Sequence, residues 1–130
     1  MKPNTVLIVL SLLNAFFFGL HLTGDIVFGI ERGGPEILVG VLILAVYLYG
    51  AVGLPGRLLG YLILLLGGLA SAGLPVIHTT GRPLGERFAQ LPGGFLFIWT
   101  LLTVGATGLV AFVLSVQAMW SLRQRRRASG

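Results

Sequence analysis

The sequence predicts an all-α integral membrane protein, a single domain over residues 1–130 that folds as a bundle of four transmembrane helices. Hydrophobic residues make up 55% of the chain and charged residues 10%, with a mean hydropathy of +0.95, whereas about a quarter of the residues in soluble domains are charged. Four apolar stretches each reach the length of about 20 residues that crosses a bilayer. The basic residues are distributed unequally between the two ends of these stretches.

The four apolar stretches predict helices over about residues 5–28, 35–54, 58–78 and 95–122. Pro35 suits the first turn of a helix, where its missing N–H is not needed. The sequence Leu54-Pro55-Gly56-Arg57 predicts a tight turn between the second and third helices. Leu84, Phe88 and Leu91, spaced four and three residues apart, predict a short helix on the outer membrane surface between residues 81 and 94.

Two tryptophans and the basic residues predict how the chain is oriented. Trp99 and Trp120 lie 21 residues apart, about 31 Å along a helix, which matches a hydrocarbon core of about 30 Å. Positive residues favour the cytoplasmic side. With both termini in the cytoplasm, the outer side carries three basic residues and all four acids, and the inner side carries six basic anchors: Lys2, Arg57, Arg123, Arg125, Arg126 and Arg127.

The basic tail is interpreted as a topology anchor that attracts anionic lipid headgroups, not as a nucleic-acid surface. Nucleic-acid binding needs a basic face that neutralises several phosphates. The remaining basic residues are instead scattered between apolar runs, without interleaved aromatics. The bilayer is therefore the predicted partner, together with a second copy of the chain or a larger membrane complex.

Small residues predict which helices pack closely. In lipid, helices associate through close backbone approach at small side chains. The third helix carries Gly60, Gly67, Gly68, Ser71 and Ala72, and the fourth carries Thr100, Thr103, Thr107 and Ala111 on one face. We expect these two helices to lie tightly together. Pro75 predicts a break near the outer end of the third helix.

The first helix carries a polar stripe. Ser11, Asn14, Phe18, His21 and Asp25 are spaced three, four, three and four residues apart, which places them within an arc of about 80°. Because lipid cannot satisfy polar groups, this stripe is expected to face the interior of the bundle.

The two histidines occur in the same four-residue pattern. His21-Leu-Thr-Gly and His78-Thr-Thr-Gly end two helices that are predicted to run in the same direction. Their distances from the preceding basic residues place both histidines within about 3 Å of the same depth. This suggests two helical hairpins related by a pseudo-two-fold axis along the membrane normal.

Three hypotheses account for His21, Asp25 and His78. The first is a hydrogen-bonded network that fixes the helix register, because His21 and Asp25 are one turn apart. The second is a site for a metal ion such as zinc, iron or copper, or for a proton-linked ligand or substrate. The third is bis-histidine haem ligation by two histidines at equal depth.

Other chemistry is excluded by residue type or by motif. The chain contains no cysteine, which excludes disulfide exchange and thiolate metal sites. The glycines follow no phosphate-loop pattern, and no serine or acid lies in the sequence context of a catalytic nucleophile. We therefore expect a non-enzymatic accessory or self-associating membrane subunit. The sequence itself requires no cofactor, and a metal ion or haem remains an alternative at the histidines.

Four stretches of the sequence carry a family resemblance: Asp25-Ile-Val-Phe-Gly, Val41-Leu-Ile-Leu-Ala-Val-Tyr-Leu-Tyr-Gly, Gly60-Tyr61 and Pro75-Val-Ile-His78. They resemble a group of four-helix bacterial inner-membrane proteins with no established activity. The resemblance implies a bacterial inner-membrane location and carries over no functional residue. The chain differs from small multidrug transporters, which carry a glutamate in mid-membrane in the first helix, where this chain has Asn14.

Overall fold

The computed structural model describes residues 3–28, 34–79 and 92–128, and these ranges contain helices and turns but no strand. Helix α1 spans Pro3–Phe28, α2 spans Pro35–Leu48 and continues into a π-helical turn over Tyr49–Gly53, α3 spans Leu58–Thr79, and α4 spans Gly94–Ala128. The anchor Lys2 and residues 81–91, which hold most of the predicted surface helix, lie outside the described residues.

Three of the helices are long and apolar enough to cross a membrane, and the fourth is shorter. The long segments are Asn4–Phe28, Leu58–His78 and Gly94–Ala128, whereas the second apolar segment covers only Ile37–Gly53. The prediction of four segments of about 20 residues is therefore correct for three of them. The second apolar segment begins at Ile37, after the proline and glutamate that open α2, and it ends in a wider π-helical turn at Gly53, one residue before the predicted end.

Helix α4 is longer than predicted. Its apolar part ends near Leu122, but the helix continues to Ala128 and carries the four tail arginines on its last two turns. Arginine, glutamine and alanine are all good helix formers, and no glycine or proline interrupts this stretch. At 35 residues, α4 is about 52 Å long, which exceeds the hydrocarbon core of a bilayer by about 20 Å.

The closest helix contact is between α3 and α4, and it is made by glycines. A Cβ atom added to Gly108 would lie 2.5 Å from Ser71 Cβ and 2.9 Å from the carbonyl oxygen of Gly68. Gly68, Ser71 and Ala72 therefore contact α4 as the small-residue pattern predicts. The facing residues on α4 are Gly105 and Gly108, because only glycine permits backbone-to-backbone contact at this crossing.

The hydroxyls of two α4 threonines make hydrogen bonds to α1 or within α4. Thr107 accepts a hydrogen bond from Asn14 of α1. The Thr103 hydroxyl donates to the carbonyl oxygen of Trp99 in its own helix, at 2.8 Å. Serine and threonine hydroxyls commonly bond back to the preceding turn in this way.

Two other glycines of α3 contact the second helix. The ring of Tyr47 lies directly over Gly67, and Gly60 lies against the carbonyl oxygens of Leu54 and Gly50. The prediction that Gly60 and Gly67 form part of the α4 contact is therefore wrong. The reason is helical rotation, because neighbouring residues such as Gly67 and Gly68 point about 100° apart.

Pro75 lies inside α3 without ending it, since the helix continues to Thr79. The proline ring sits against α4, where a Cβ atom on Gly105 would lie 2.6 Å from Pro75 Cγ. The two hairpins are packed unequally, because α4 lies along both α3 and α1 whereas α2 makes fewer contacts. A two-fold relation between the hairpins stays a prediction from the sequence.

Candidate functional site

The polar stripe of α1 lies in the interior of the bundle. Ser11, Asn14, His21 and Asp25 each have 6% or less of their surface exposed, whereas the polar residues outside the stripe, such as Thr23, are exposed. Asn14 and His21 face α3 and α4, and the remaining faces of α1 carry exposed apolar side chains such as Phe16. In this arrangement the polar stripe forms two groups, one around Asn14 and one around His21.

Asn14 joins three helices. Its Nδ2 atom donates hydrogen bonds of 2.9 Å to the carbonyl oxygen of Val104 and to Thr107 Oγ1, both in α4. Its Oδ1 atom accepts a hydrogen bond of 3.0 Å from Ser71 Oγ in α3. Both amide hydrogens and one acceptor position are therefore used within the bundle. This is the pattern by which polar side chains hold helices together in lipid.

Ser11 lies one turn before Asn14 and behaves differently. Its hydroxyl is buried and makes no hydrogen bond to α3 or α4. It lies instead toward the buried hydroxyl of Tyr47 in α2. Ser11 therefore does not take part in the hydrogen bonds that join α1 to α3 and α4.

The second polar group is formed by His21 of α1, His78 of α3 and Phe97 of α4. The centroids of the two imidazole rings are 5.5 Å apart, with their planes at 79°. The Phe97 ring lies 4.7 Å from His21 and 5.6 Å from His78. The two histidines predicted at matching depth are thus in edge-to-face contact, with one aromatic ring against both.

Hydrogen bonds define which imidazole nitrogens carry hydrogen. His78 Nδ1 lies 3.0 Å from the carbonyl oxygen of Leu74. A carbonyl oxygen can only accept, so His78 Nδ1 is the protonated nitrogen. Thr100 Oγ1 lies 2.8 Å from the carbonyl oxygen of Leu96 and 3.4 Å from His21 Nδ1. The Thr100 hydroxyl is thus within reach both of its own backbone and of the His21 ring.

The remaining nitrogen of His21 faces Asp25. His21 Nε2 is 3.8 Å from Asp25 Oδ2 and makes no hydrogen bond. A hydrogen on Nε2 would be directed at this carboxylate, whereas a hydrogen on Nδ1 alone would leave a nitrogen lone pair facing it. The pair thus places an imidazole nitrogen and a carboxylate close together inside the bundle.

The geometry was compared with the two cofactor hypotheses. Within the described residues, no group of three or more His, Cys, Asp or Glu side chains is close enough to hold a metal ion. A haem would have to lie between two axial histidines. That space is taken by the direct contact of the two imidazole rings and by Phe97. Neither a three-ligand metal site nor a haem pocket is assembled by these side chains.

Comparisons with known proteins give no family assignment. No family model, no curated protein and no solved structure matches the chain.

The sequence analysis did not identify Phe97 or the pair Gly105 and Gly108. Phe97 has no distinguishing local pattern, and its role depends on how α4 is rotated against α1 and α3. Gly105 and Gly108 did carry a signal, because together with Ala111 they form a stripe of small residues at intervals of three. That stripe identifies the face of α4 that lies on α3.

Proposed function

We propose that this chain is an integral protein of the bacterial inner membrane, crossing it four times, and that it acts as a non-enzymatic accessory or self-associating subunit. Membrane insertion is supported by the outward faces of all the helices. Phe16, Leu42, Leu66 and Leu109 are each more than half exposed, as are many other large apolar side chains. Such a surface is unfavourable in water and is the normal surface of a helix in lipid.

Cytoplasmic termini are supported by the charges and by the tryptophans of α4. Trp99 and Trp120 are both largely exposed and lie one hydrocarbon thickness apart. The helix then continues beyond Trp120 with four arginines and no acid. Six basic residues on one side against three on the other favour the six-residue side as cytoplasmic.

Crossing by α2 is the most demanding part of this topology. From Pro35 to the end of the π-helical turn at Gly53 there are 19 residues, about 28 Å at the α-helical rise. Spanning helices range from about 17 to 25 residues, so this length is near the lower limit. A tight turn over Leu54–Arg57 then returns the chain directly into α3.

The observation that best supports the subunit role is that the side chain of Asn14 hydrogen-bonds to α3 and α4. A transport path would need polar groups available to water in mid-membrane. Asn14 instead donates both amide hydrogens to acceptors in α4 and accepts a hydrogen bond from Ser71 in α3. Its polarity serves to hold α1, α3 and α4 together. This use of polarity supports a structural bundle over a transporter.

The absence of cysteine permits a direct test by single-cysteine cross-linking in native membranes. Val46→Cys, Leu66→Cys and Leu109→Cys place a thiol on exposed surfaces of α2, α3 and α4, and Leu64→Cys is the buried control. We expect a disulfide-linked dimer from at least one surface position and none from the control. An accessory role would instead give a second membrane protein at fixed stoichiometry. A lone chain in the bilayer, with neither result, would contradict the proposal.

Proton binding at His21 and Asp25 is a second candidate function. It is supported by the buried, unbonded Nε2 atom of His21, 3.8 Å from Asp25 Oδ2. The other described groups at this site are His78 from α3 and Phe97 and Thr100 from α4. The Asp25→Asn variant should change the pH dependence of the His21 ¹⁵N imidazole signals. An unchanged titration would contradict a shared proton.

A further inference from the structure

A groove of about 540 Å³ lies at the end of the bundle where α3 begins and α4 ends. Its apolar walls are formed by Leu58 at the start of α3 and by Met119 and Leu122 of α4. The exposed indole of Trp120 also lines it, together with three arginines, Arg123, Arg126 and Arg127. The groove thus combines an apolar floor with a concentrated positive charge.

The helical extension of α4 creates this combination. Trp120, Arg123 and Arg127 are spaced three and four residues apart, so they lie on one face of the helix. Arg125 lies on another face and lines a separate groove with Asn4 and Tyr61. The four tail arginines carry the same charge and are close together in the sequence, but three of them line this groove and Arg125 does not.

We infer that the groove is a binding site for an anionic phospholipid, an inference that rests on the membrane insertion proposed above. A phosphate can be held by the guanidinium groups of Arg123, Arg126 and Arg127, since arginine donates paired hydrogen bonds to phosphate oxygens. An acyl chain fits against Leu58, Met119 and Leu122. Basic pockets between membrane helices on the cytoplasmic side are typical sites for anionic headgroups.

Charge and position together favour a lipid over other anionic partners. The chain has no acid after Glu86, so α4 carries a net positive charge. Trp120 stands beside them, and exposed tryptophans are typical of the headgroup level of a bilayer. A soluble acidic peptide would account for the arginines but not for an apolar floor that opens at this level.

The fluorescence of Trp120 gives a direct readout of lipid next to the groove. The Trp99→Phe variant leaves Trp120 as the only tryptophan. This variant is reconstituted in phosphatidylcholine vesicles that contain a fixed fraction of brominated phosphatidylglycerol or of brominated phosphatidylcholine. Bromine quenches indole on contact. We expect stronger quenching by the anionic lipid, with a relative affinity for it about fivefold higher per participating arginine.

Matched variants separate a site from a diffuse charge effect. In the Trp99→Phe background, Arg126→Gln should lower the relative affinity for phosphatidylglycerol about fivefold, whereas Arg125→Gln, which removes the same charge outside the groove, should change it less than twofold. The Trp120→Phe variant reports from Trp99 at the other end of α4. Its quenching should be equal for the two lipids.

Each contrary result has its own meaning. No quenching by either brominated lipid would show that Trp120 is not at a bilayer, and would contradict the proposed membrane insertion. Equal quenching by both lipids would leave insertion intact and overturn the lipid site, leaving the arginines to topology or to a soluble acidic partner. Equal losses from Arg125→Gln and Arg126→Gln would also overturn it, because the attraction would then belong to the whole tail.

Discussion

The side-chain amide of Asn14 donates a hydrogen bond of 2.9 Å to the backbone carbonyl oxygen of Val104, 90 residues away in the sequence. The same amide donates to Thr107 and accepts from Ser71, so one side chain connects α1, α3 and α4. Asn14 is nearly fully buried. In lipid no hydrophobic force draws helices together, and such bonds help to fix which faces meet.

Replacement of Asn14 by leucine should destabilise the bundle. Interhelical hydrogen bonds in membrane proteins contribute about 0.6 kcal/mol on average, and Asn14→Leu removes three of them, so we expect a loss of about 1–2 kcal/mol. Ser11→Ala is the matched control, since Ser11 is equally buried one turn away and makes no hydrogen bond to α3 or α4. It should change the free energy of unfolding by less than about 0.5 kcal/mol. Reversible unfolding in mixed micelles measures both, and equal effects would contradict the assigned role of Asn14.

Replacement of Gly108 by alanine should separate α3 from α4. The added Cβ atom would meet Ser71 Cβ at 2.5 Å and backbone atoms of Gly68 and Ala72 at 2.9–3.0 Å. Overpacking of this kind destabilises by about 1–3 kcal/mol. Gly73→Ala is the control, because a Cβ atom there meets nothing within 4 Å. It should leave stability unchanged or raise it by up to about 1 kcal/mol through helix propensity. The prediction fails if the two alanine variants unfold alike.

The helices could be predicted from the sequence to within a few residues at most ends, because long apolar stretches bounded by turn residues predict helices. Two features could not be predicted. No residue type marks Tyr49 as the start of a π-helical turn. The predicted end of α4 falls at residue 122 because hydropathy marks the end of the apolar stretch, whereas the helix itself continues through the arginines to Ala128.

The polar residues of the site could be found from the sequence because their spacing on α1 is helical. Their partners could not be found in the same way. Helical spacing gives the direction of Asn14 but not the register of α4, which decides that Val104 and Thr107 receive its amide. Gly67 lies against α2 and Gly68 against α4. This difference depends on the rotation of α3 about its axis, which the sequence does not determine.

The tautomer of His78 is a further prediction. Its Nδ1 atom donates to the carbonyl oxygen of Leu74 at 3.0 Å, which requires hydrogen on Nδ1. The ¹⁵N chemical shifts of the imidazole in labelled protein distinguish the two neutral tautomers. We expect the Nδ1–H form for His78. A neutral Nε2–H form would contradict the placement of this side chain against the preceding turn of α3.

Purified protein should carry no stoichiometric metal and show no Soret band. Direct contact between His21 and His78 leaves no space for a porphyrin, and the described side chains assemble no group of three metal ligands. Elemental analysis and an absorption spectrum of protein purified without a histidine tag measure this. A metal or Soret band that is present and is lost in both His21→Ala and His78→Ala would overturn this interpretation.

The central claim, that all four helices cross the membrane, is tested most directly by labelling single cysteines in the cysteine-free chain. Glu31→Cys, Pro55→Cys, Gly85→Cys and Ser129→Cys place one thiol in each connection and in the tail. With a membrane-impermeant maleimide outside the membrane, positions 31 and 85 should react, and positions 55 and 129 should react only after permeabilisation. If α2 does not cross, position 55 will react from outside and position 85 will be protected, which would contradict the four-crossing topology.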